Sequence, residues 1–288
     1  KDIKGGIIVY KVFCRTYQRT FKLASKFMPY RNPQLIEGEN SLFQLPAVIK
    51  EHGVHNVLIV TDQGIVALGL MKPLLEELNA QQIDYVVYDQ TVPNPTIANI
   101  EEALALYKDN HCQGIVAFGG GSPMDCAKGV AARVARPNMM LPQMKGVLKV
   151  RKEMPPFFAI PTTAGTGSEA TVAAVVSDSK TYEKYAIMDP VLIPHVAVLD
   201  PLLTVKLPPF ITATTGMDAL THAVESYIGL SNTEETIRYS REAVKLIFDN
   251  LYTAYCDGEN IEARKNMQKA AYLAGAAFTR AYVGNVHA

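Results

Sequence analysis

Asp218 and His222 stand four residues apart in Gly216-Met217-Asp218-Ala219-Leu220-Thr221-His222-Ala223-Val224-Glu225-Ser226-Tyr227, a segment of strong helix formers. On a helix that spacing places two side chains on one face, one turn apart. A carboxylate and an imidazole so placed can share a divalent cation; Fe(II) suits them, and zinc or manganese almost as well. The pair also has an ordinary reading, with Asp218 in a first helical turn favoured by the helix dipole and His222 a core histidine. Glu225 reads as a solvated helix acid, or as a group that orients a ligand without touching the ion.

A second chemical feature lies upstream. The apolar run at residues 114–118 leads directly into Gly119-Gly120-Gly121-Ser122. Pro123 is expected at the first helical position, with Asp125 in the first turn of a helix reaching Ala135. Strand, glycines and helix in that order offer backbone N–H groups to a phosphate, and the glycines permit close approach. The spacing is not Gly-x-Gly-x-x-Gly, so this is no ordinary Rossmann fingerprint. A further apolar strand at 157–160 delivers Pro161-Thr162-Thr163-Ala164-Gly165-Thr166-Gly167-Ser168-Glu169. Hydroxyls alternating with glycine there present a second set of donors for phosphate or ribose oxygens.

The elements that must position these groups follow from periodicity. Short apolar runs predict strands near 33–38, 56–60, 83–88, 114–118, 157–160, 171–176 and 196–199. Helical patterns fill 41–51, 62–80 and 96–110, the last with Thr96 as N-cap, whereas 136–155 reads as a loop and Lys184 lies in a polar segment. Strands alternating with helices imply an α/β fold with a mostly parallel sheet covered on both faces. Past about residue 203 the pattern turns helical throughout, over 209–227, 234–252 and 261–282. The chain therefore divides into a basic extension at 1–32, an α/β nucleotide-binding domain at 33–205, and an all-helical domain at 206–288.

Composition narrows the function classes. Apolar residues make up 48% and charged residues 19%, enough to bury a full core. The 28 basic and 28 acidic residues cancel, which argues against nucleic acid as the partner. Residues 1–31 are locally basic, with one acid, Asp2, and interleaved aromatics. An amphipathic helix packed on the protein is expected there rather than a membrane contact or signal peptide. Cys14, Cys112, Cys126 and Cys256 are far apart and read as reduced thiols in the cytoplasm.

The glycine segment 119–125, the threonine segment 161–169 and the segment 216–223 together resemble the iron-containing (group III) alcohol dehydrogenase family. That resemblance runs from about residue 33 to the end of the chain. It implies a nucleotide domain and a helical domain with metal and NAD between them. It implies Asp218 and His222 as metal ligands, joined by His287 in Gly284-Asn285-Val286-His287-Ala288. It further implies that Gly120, Gly121 and Ser122 hold the pyrophosphate with Asp125 nearby. Thr162, Thr163 and Thr166 would line the phosphate and nicotinamide ribose. Lys184 would meet ribose hydroxyls, Asn94 would line the same cleft, and Asp62 would bind the adenosine ribose and favour NAD over NADP.

The implied activity is metal-assisted hydride transfer between NAD(H) and a small primary alcohol or aldehyde, with Fe(II) as the metal and zinc as an option, in a homo-oligomer. A glycerol dehydrogenase or maleylacetate reductase on the same fold is the alternative, and residues 162–169 favour the alcohol dehydrogenase branch. The family's fourth ligand, a later histidine, has no counterpart before residue 288. The chain is therefore expected to be C-terminally truncated, and an inactive remnant that still binds nucleotide but lacks stable metal is the alternative from a different class.

Overall fold

Apolar strands that alternate between two faces build the central sheet of the computed structural model, which describes residues 12–16, 28–284, 286 and 287. The chain divides into two units, Lys1–Tyr30 and Arg31–Ala288. In the first, residues 12–16 are helical; the rest of the expected amphipathic helix lies outside the described residues.

In the second unit, β1 (Gln34–Glu37), β2 (Asn56–Val60), β3 (Asp84–Tyr88), β4 (Gly114–Gly119), β6 (Phe157–Pro161) and β9 (Val196–Leu199) form one parallel sheet. Their order is β1-β9-β6-β4-β2-β3. Leu58, Val60, Ile115, Ala117, Phe157 and Ala159 face one side. There they pack with Ile100 and Leu104 of α4 (Ile97–Asp109) and with Met124 and Val130 of α5 (Gly121–Ala135). Val57, Ile59, Val116, Phe118, Phe158 and Ile160 face the other side, against α1 (Leu45–Glu51) and α3 (Lys72–Ala80). With both faces covered, these strands have no need of polar alternation, which is why they read as continuous apolar runs.

The strand order reverses between β2 and β4, because β3 lies beyond β2 on one side and β4, β6 and β9 follow on the other. A parallel sheet opens a crevice at such a switch, outside the carboxyl ends of its strands. Asp62, the glycine segment and the threonine segment all follow strands at that edge.

Local signals set most element ends. Thr96 caps α4 reciprocally: its hydroxyl accepts from the Asn99 N–H at 3.2 Å, and Asn99 Oδ1 accepts from the Thr96 N–H at 3.2 Å. Three details differ from the sequence reading. Residues 62–80 break into α2 (Gln63–Ala67) and α3, because Asp62 caps α2 through the Ile65 N–H and Pro73 sits in the first turn of α3. Helix α5 begins at Gly121 rather than Pro123, with Gly120 as an N-cap that no side chain assists. The polar segment around Lys184 is a strand, β8 (Glu183–Met188), antiparallel to β7 (Ala173–Asp178) and parallel to β5 (Gly146–Val147) from the expected loop. Its inward side chains, Tyr185 and Ile187, are buried while Lys184 is exposed, an alternation short enough to pass for loop.

Helices α6 (Pro209–Ile228), α7 (Glu234–Cys256) and α8 (Ile261–Ala281) follow without an intervening strand. Thr212, Gly216, Ala219, Ala223 and Ser226 give α6 a buried stripe at spacings of three and four. Helix α8 is lined with small residues, which lets it lie close to the loop after β6.

One pH effect belongs to the scaffold. His195 Nδ1 accepts from the Phe157 N–H at 3.1 Å, and burial, helped by Arg31 and His52, lowers its pKa to about 4. The folded state therefore holds the neutral ring while the unfolded chain takes a proton below about pH 6.5. Stability is fully present above that value and is lost as pH falls towards 4. Denaturation midpoints measured across this range should fall less steeply for His195→Gln than for the parent.

Candidate metal and nucleotide site

Asp218 is the tenth residue of α6, not a first-turn residue, so the dipole reading of it fails. One turn on, His222 is 7% exposed. Its ring lies between two others, stacked on Phe278 of α8 at 4.3 Å and on His287 at 4.2 Å. His287 Nε2 is 3.2 Å from Asp218 Oδ1, and His222 Nδ1 is 4.0 Å from Asp218 Oδ2. One ligand atom from each of the three side chains lies within 4.8 Å of the others.

The electrostatics suit ligands. Burial lowers the His222 pKa to about 4, against the pull of Asp218, so its imidazole is neutral at neutral pH. A backbone hydrogen bond to Gly165 engages this ring, yet Nδ1 is buried with no hydrogen-bond partner among the described residues. A buried unpartnered nitrogen costs about 1–3 kcal/mol unless something engages it. A cation between Asp218, His222 and His287 would engage it, and a carboxylate with two imidazoles is a fitting donor set. Burial acts to lower the pKa of His287, but hydrogen bonding to Glu225 and Asp218 outweighs it and the net shift is upward.

Glu225 is not the solvated acid its sequence context suggests. It is 6% exposed; Oε2 is 2.7 Å from His287 Nδ1, and Oε1 accepts from the Val286 N–H at 2.7 Å. Burial raises its pKa, but these contacts, with the Gly284 N–H, bring it below the usual carboxylate value. A carboxylate on the far nitrogen fixes the tautomer that leaves Nε2 free to ligate.

The other half of the site is built at the strand ends. Gly119 has φ +148°, and a Cβ there would lie 2.7 Å from Pro123 Cγ, so only glycine turns β4 into α5. The two loops interlock: a Cβ on Gly120 would meet Thr163 Cγ2 at 3.2 Å, and one on Gly121 would meet Thr166 Cγ2 at 3.0 Å. The Thr162 N–H donates to the Gly119 carbonyl at 3.0 Å. Ser122 Oγ accepts from the Asn94 N–H at 3.2 Å, and Lys184 Nζ donates to Asn94 Oδ1 at 2.7 Å. Asp125 turns inward, its Oδ1 accepting from Ser168 Oγ at 3.4 Å. Burial raises its pKa to about 6, against the attraction of Lys128.

The candidate residues thus form two groups. Asp218, His222 and His287 converge on one point, while Asp62, Asn94, Gly120, Gly121, Ser122, Thr162, Thr163, Thr166 and Lys184 gather around the switch crevice. Gly165 links them, since its loop carries the threonines and its backbone bonds to His222. Sequence reasoning passed over Lys128, which is fully buried. Its signal was a lone cation in Cys126-Ala127-Lys128-Gly129-Val130-Ala131-Ala132, where nothing else wants water.

Known proteins resemble this chain over both the sheet and the helices. Residues 32–201 match the model of "iron-containing alcohol dehydrogenase", and residues 212–288 match that of "Fe-containing alcohol dehydrogenase family, C-terminal". Alcohol dehydrogenase 4 of Schizosaccharomyces pombe is 39% identical over 276 residues, 95% of this chain and 64% of that protein. The crystal structure of a 1,3-propanediol oxidoreductase superposes with a TM-score of 0.87 at 35% identity, covering 91% of this chain and 68% of that one. Sulfoacetaldehyde reductase from Bifidobacterium kashiwanohense, in complex with NAD+, gives a TM-score of 0.81 at 32% identity, covering 89% and 68%. The chain spans about two thirds of the length of these relatives. With two family models matched in order over the sheet and the helices that carry both groups of residues, the chain belongs to the iron-containing alcohol dehydrogenase family.

Proposed function

We propose that this protein interconverts a small primary alcohol and its aldehyde with NAD(H), at a metal centre held by Asp218, His222 and His287. The observation that carries the reading is the buried, unpartnered Nδ1 of His222 beside Asp218 and His287. It is supported by relatives described as an alcohol dehydrogenase and a propanediol oxidoreductase, and by one in complex with NAD+. Bound there, iron would supply Lewis acidity that lowers the pKa of an alcohol hydroxyl, and NAD would supply the hydride acceptor.

The chain's own groups have distinct tasks. Asp218 brings the negative charge of the centre and His222 a neutral nitrogen, while Glu225 holds His287 in the ligating tautomer. Backbone N–H groups at Gly120, Gly121 and Ser122 would bind the pyrophosphate, with Asp125 beside them. Thr162, Thr163 and Thr166 would line the phosphate and nicotinamide ribose, and Asn94 and Lys184 the ribose hydroxyls. Asp62 would accept from the adenosine ribose and repel a 2′-phosphate. On this reading 33–205 is the nucleotide domain and 206–288 the metal-binding helical domain. Among the described residues no helix is long and apolar enough to cross a membrane. The free cysteines suit a reducing compartment, and the cytoplasm is the proposed location. The exposed stripe Phe210, Met217, Val224 and Ile228 on α6 supports a homo-oligomer.

The test combines iron quantification, NADH titration and steady-state reduction of short aldehydes on one purified sample. One bound iron and turnover that prefers NADH are expected. Asp62→Gly should narrow the NADH-to-NADPH ratio of kcat/KM by about tenfold or more, the worth of one charged contact. NADH binding without metal or turnover would reduce the protein to a nucleotide-binding chain, and an unchanged ratio would remove Asp62 from cofactor choice.

A further inference from the structure

Lys128 projects from α5 into a space where no water reaches it. Its Nζ donates to the Ser168 carbonyl at 2.7 Å, the Thr171 carbonyl at 2.8 Å, Thr171 Oγ1 at 2.9 Å and the Ala173 carbonyl at 3.0 Å. Ser168 Oγ lies at 3.4 Å and is shared with Asp125, three residues before Lys128. Three N–H donors face more oxygens than they can serve singly, so the ammonium is saturated. Burial lowers its pKa to about 8, against the pull of Asp125 and Glu169. Burial likewise raises Glu169 to about 7, against Lys128.

Burying a cation is costly, and a well-packed apolar side chain would often serve stability as well or better. What an apolar side chain would not do is bind three carbonyls of the segment that leaves strand β6 and enters β7, the last of them on Ala173, the first residue of β7. Helix α5 begins at the glycine segment, so Lys128 ties the second candidate nucleotide segment to the helix that carries the first. On its other side the same loop is held by helices. A Cβ on Gly165 would strike Thr215 of α6 at 2.6 Å, and Thr279 of α8 donates to the Ala170 carbonyl at 3.3 Å.

We propose that Lys128 is a positioning residue for the cofactor: its ammonium pins residues 168–173 to α5, and so holds the threonines in one rigid cradle with the glycine loop. Lys128 touches neither nucleotide nor metal. It acts through the loop, and the same restraint extends to His222 through Gly165. This role rests on the nucleotide reading above, and it predicts that losing the charge, with the stem retained, loosens NADH binding.

The experiment is NADH titration by fluorescence on the parent and on Lys128→Met, at a temperature where circular dichroism shows both folded. Kd should rise about tenfold or more, since small misplacements of binding groups carry costs of this order. Lys128→Ala should weaken binding similarly and regain affinity on addition of propylammonium but not propanol, a rescue that a purely packing role would not show. If neither variant folds, Thr171→Val keeps the lysine, removes one acceptor and should raise Kd about threefold, the worth of one hydrogen bond. Parent-like affinity in folded Lys128→Met, absence of propylammonium rescue, or an unchanged Kd in Thr171→Val would overturn the proposal. The parent's own titration separates the two failures: a parent that does not bind NADH refutes the nucleotide reading, whereas a binding parent with an equally tight Lys128→Met refutes only the role of Lys128.

Discussion

His222→Ala should strip iron from the protein and abolish turnover in the same step. The side chain removed offers the buried nitrogen of the cluster that has no hydrogen-bond partner among the described residues. Asp218 and His287 would remain, but His287 also loses the ring stacked on it at 4.2 Å. Metal affinity should drop by more than about 100-fold, beyond the loss seen when only a supporting group is removed. NADH binding should change little by comparison, because the glycine and threonine segments stay attached to the sheet. Iron quantification after dialysis, beside an NADH titration on the same sample, decides it. Stoichiometric iron with retained turnover would return His222 to the status of a core histidine.

Gly275→Ala should be the most damaging small substitution in the helical region. A Cβ at Gly275 would lie 2.5 Å from the Gly167 carbonyl oxygen and 2.9 Å from Gly167 Cα, both backbone atoms. Gly167 has φ +59° and its own Cβ position is filled by the Ala271 carbonyl at 2.6 Å, so the contact admits no side chain from either direction. The loop has little room to retreat, since Lys128 holds its next residues from the opposite side. Overpacking of this kind costs about 1–3 kcal/mol. The melting temperature should fall by roughly 2–4 °C for each of those kcal/mol. Because the displaced loop carries Thr162, Thr163 and Thr166, NADH affinity should fall along with stability. Differential scanning calorimetry with an NADH titration checks both, and a parent-like melting temperature would show that α8 shifts freely.

The two substitutions also separate what could be read from the chain and what could not. The parallel strands were legible because strands covered on both faces must be apolar without interruption, as Asn56–Val60 and Phe157–Pro161 are. Thr96 was legible as a cap because capping depends on residues three apart. The spacing of Asp218 and His222 was legible for the same reason: one turn of helix is a local fact. His287 was named only through family resemblance, since nothing within α6 points to a partner 65 or more residues away.

Other features were beyond local reading because distant segments create them. The charge pattern of Glu183–Met188 suits a loop as well as a strand, and pairing with Ala173–Asp178 decides between them. Glu225 has the sequence context of an exposed helix acid, and only the return of Gly284, Val286 and His287 to α6 buries it and gives it a histidine to orient. Lys128 is a helix lysine until the chain some forty residues later folds over its ammonium. The sequence by itself therefore determined the parallel strands, the Thr96 cap, the glycine turn and the Asp–His pair, each set by sterics and hydrogen bonds within a few residues. Tertiary structure alone decided which charges are buried and what they hold, because the cost of burying a charge depends on partners that local sequence cannot name.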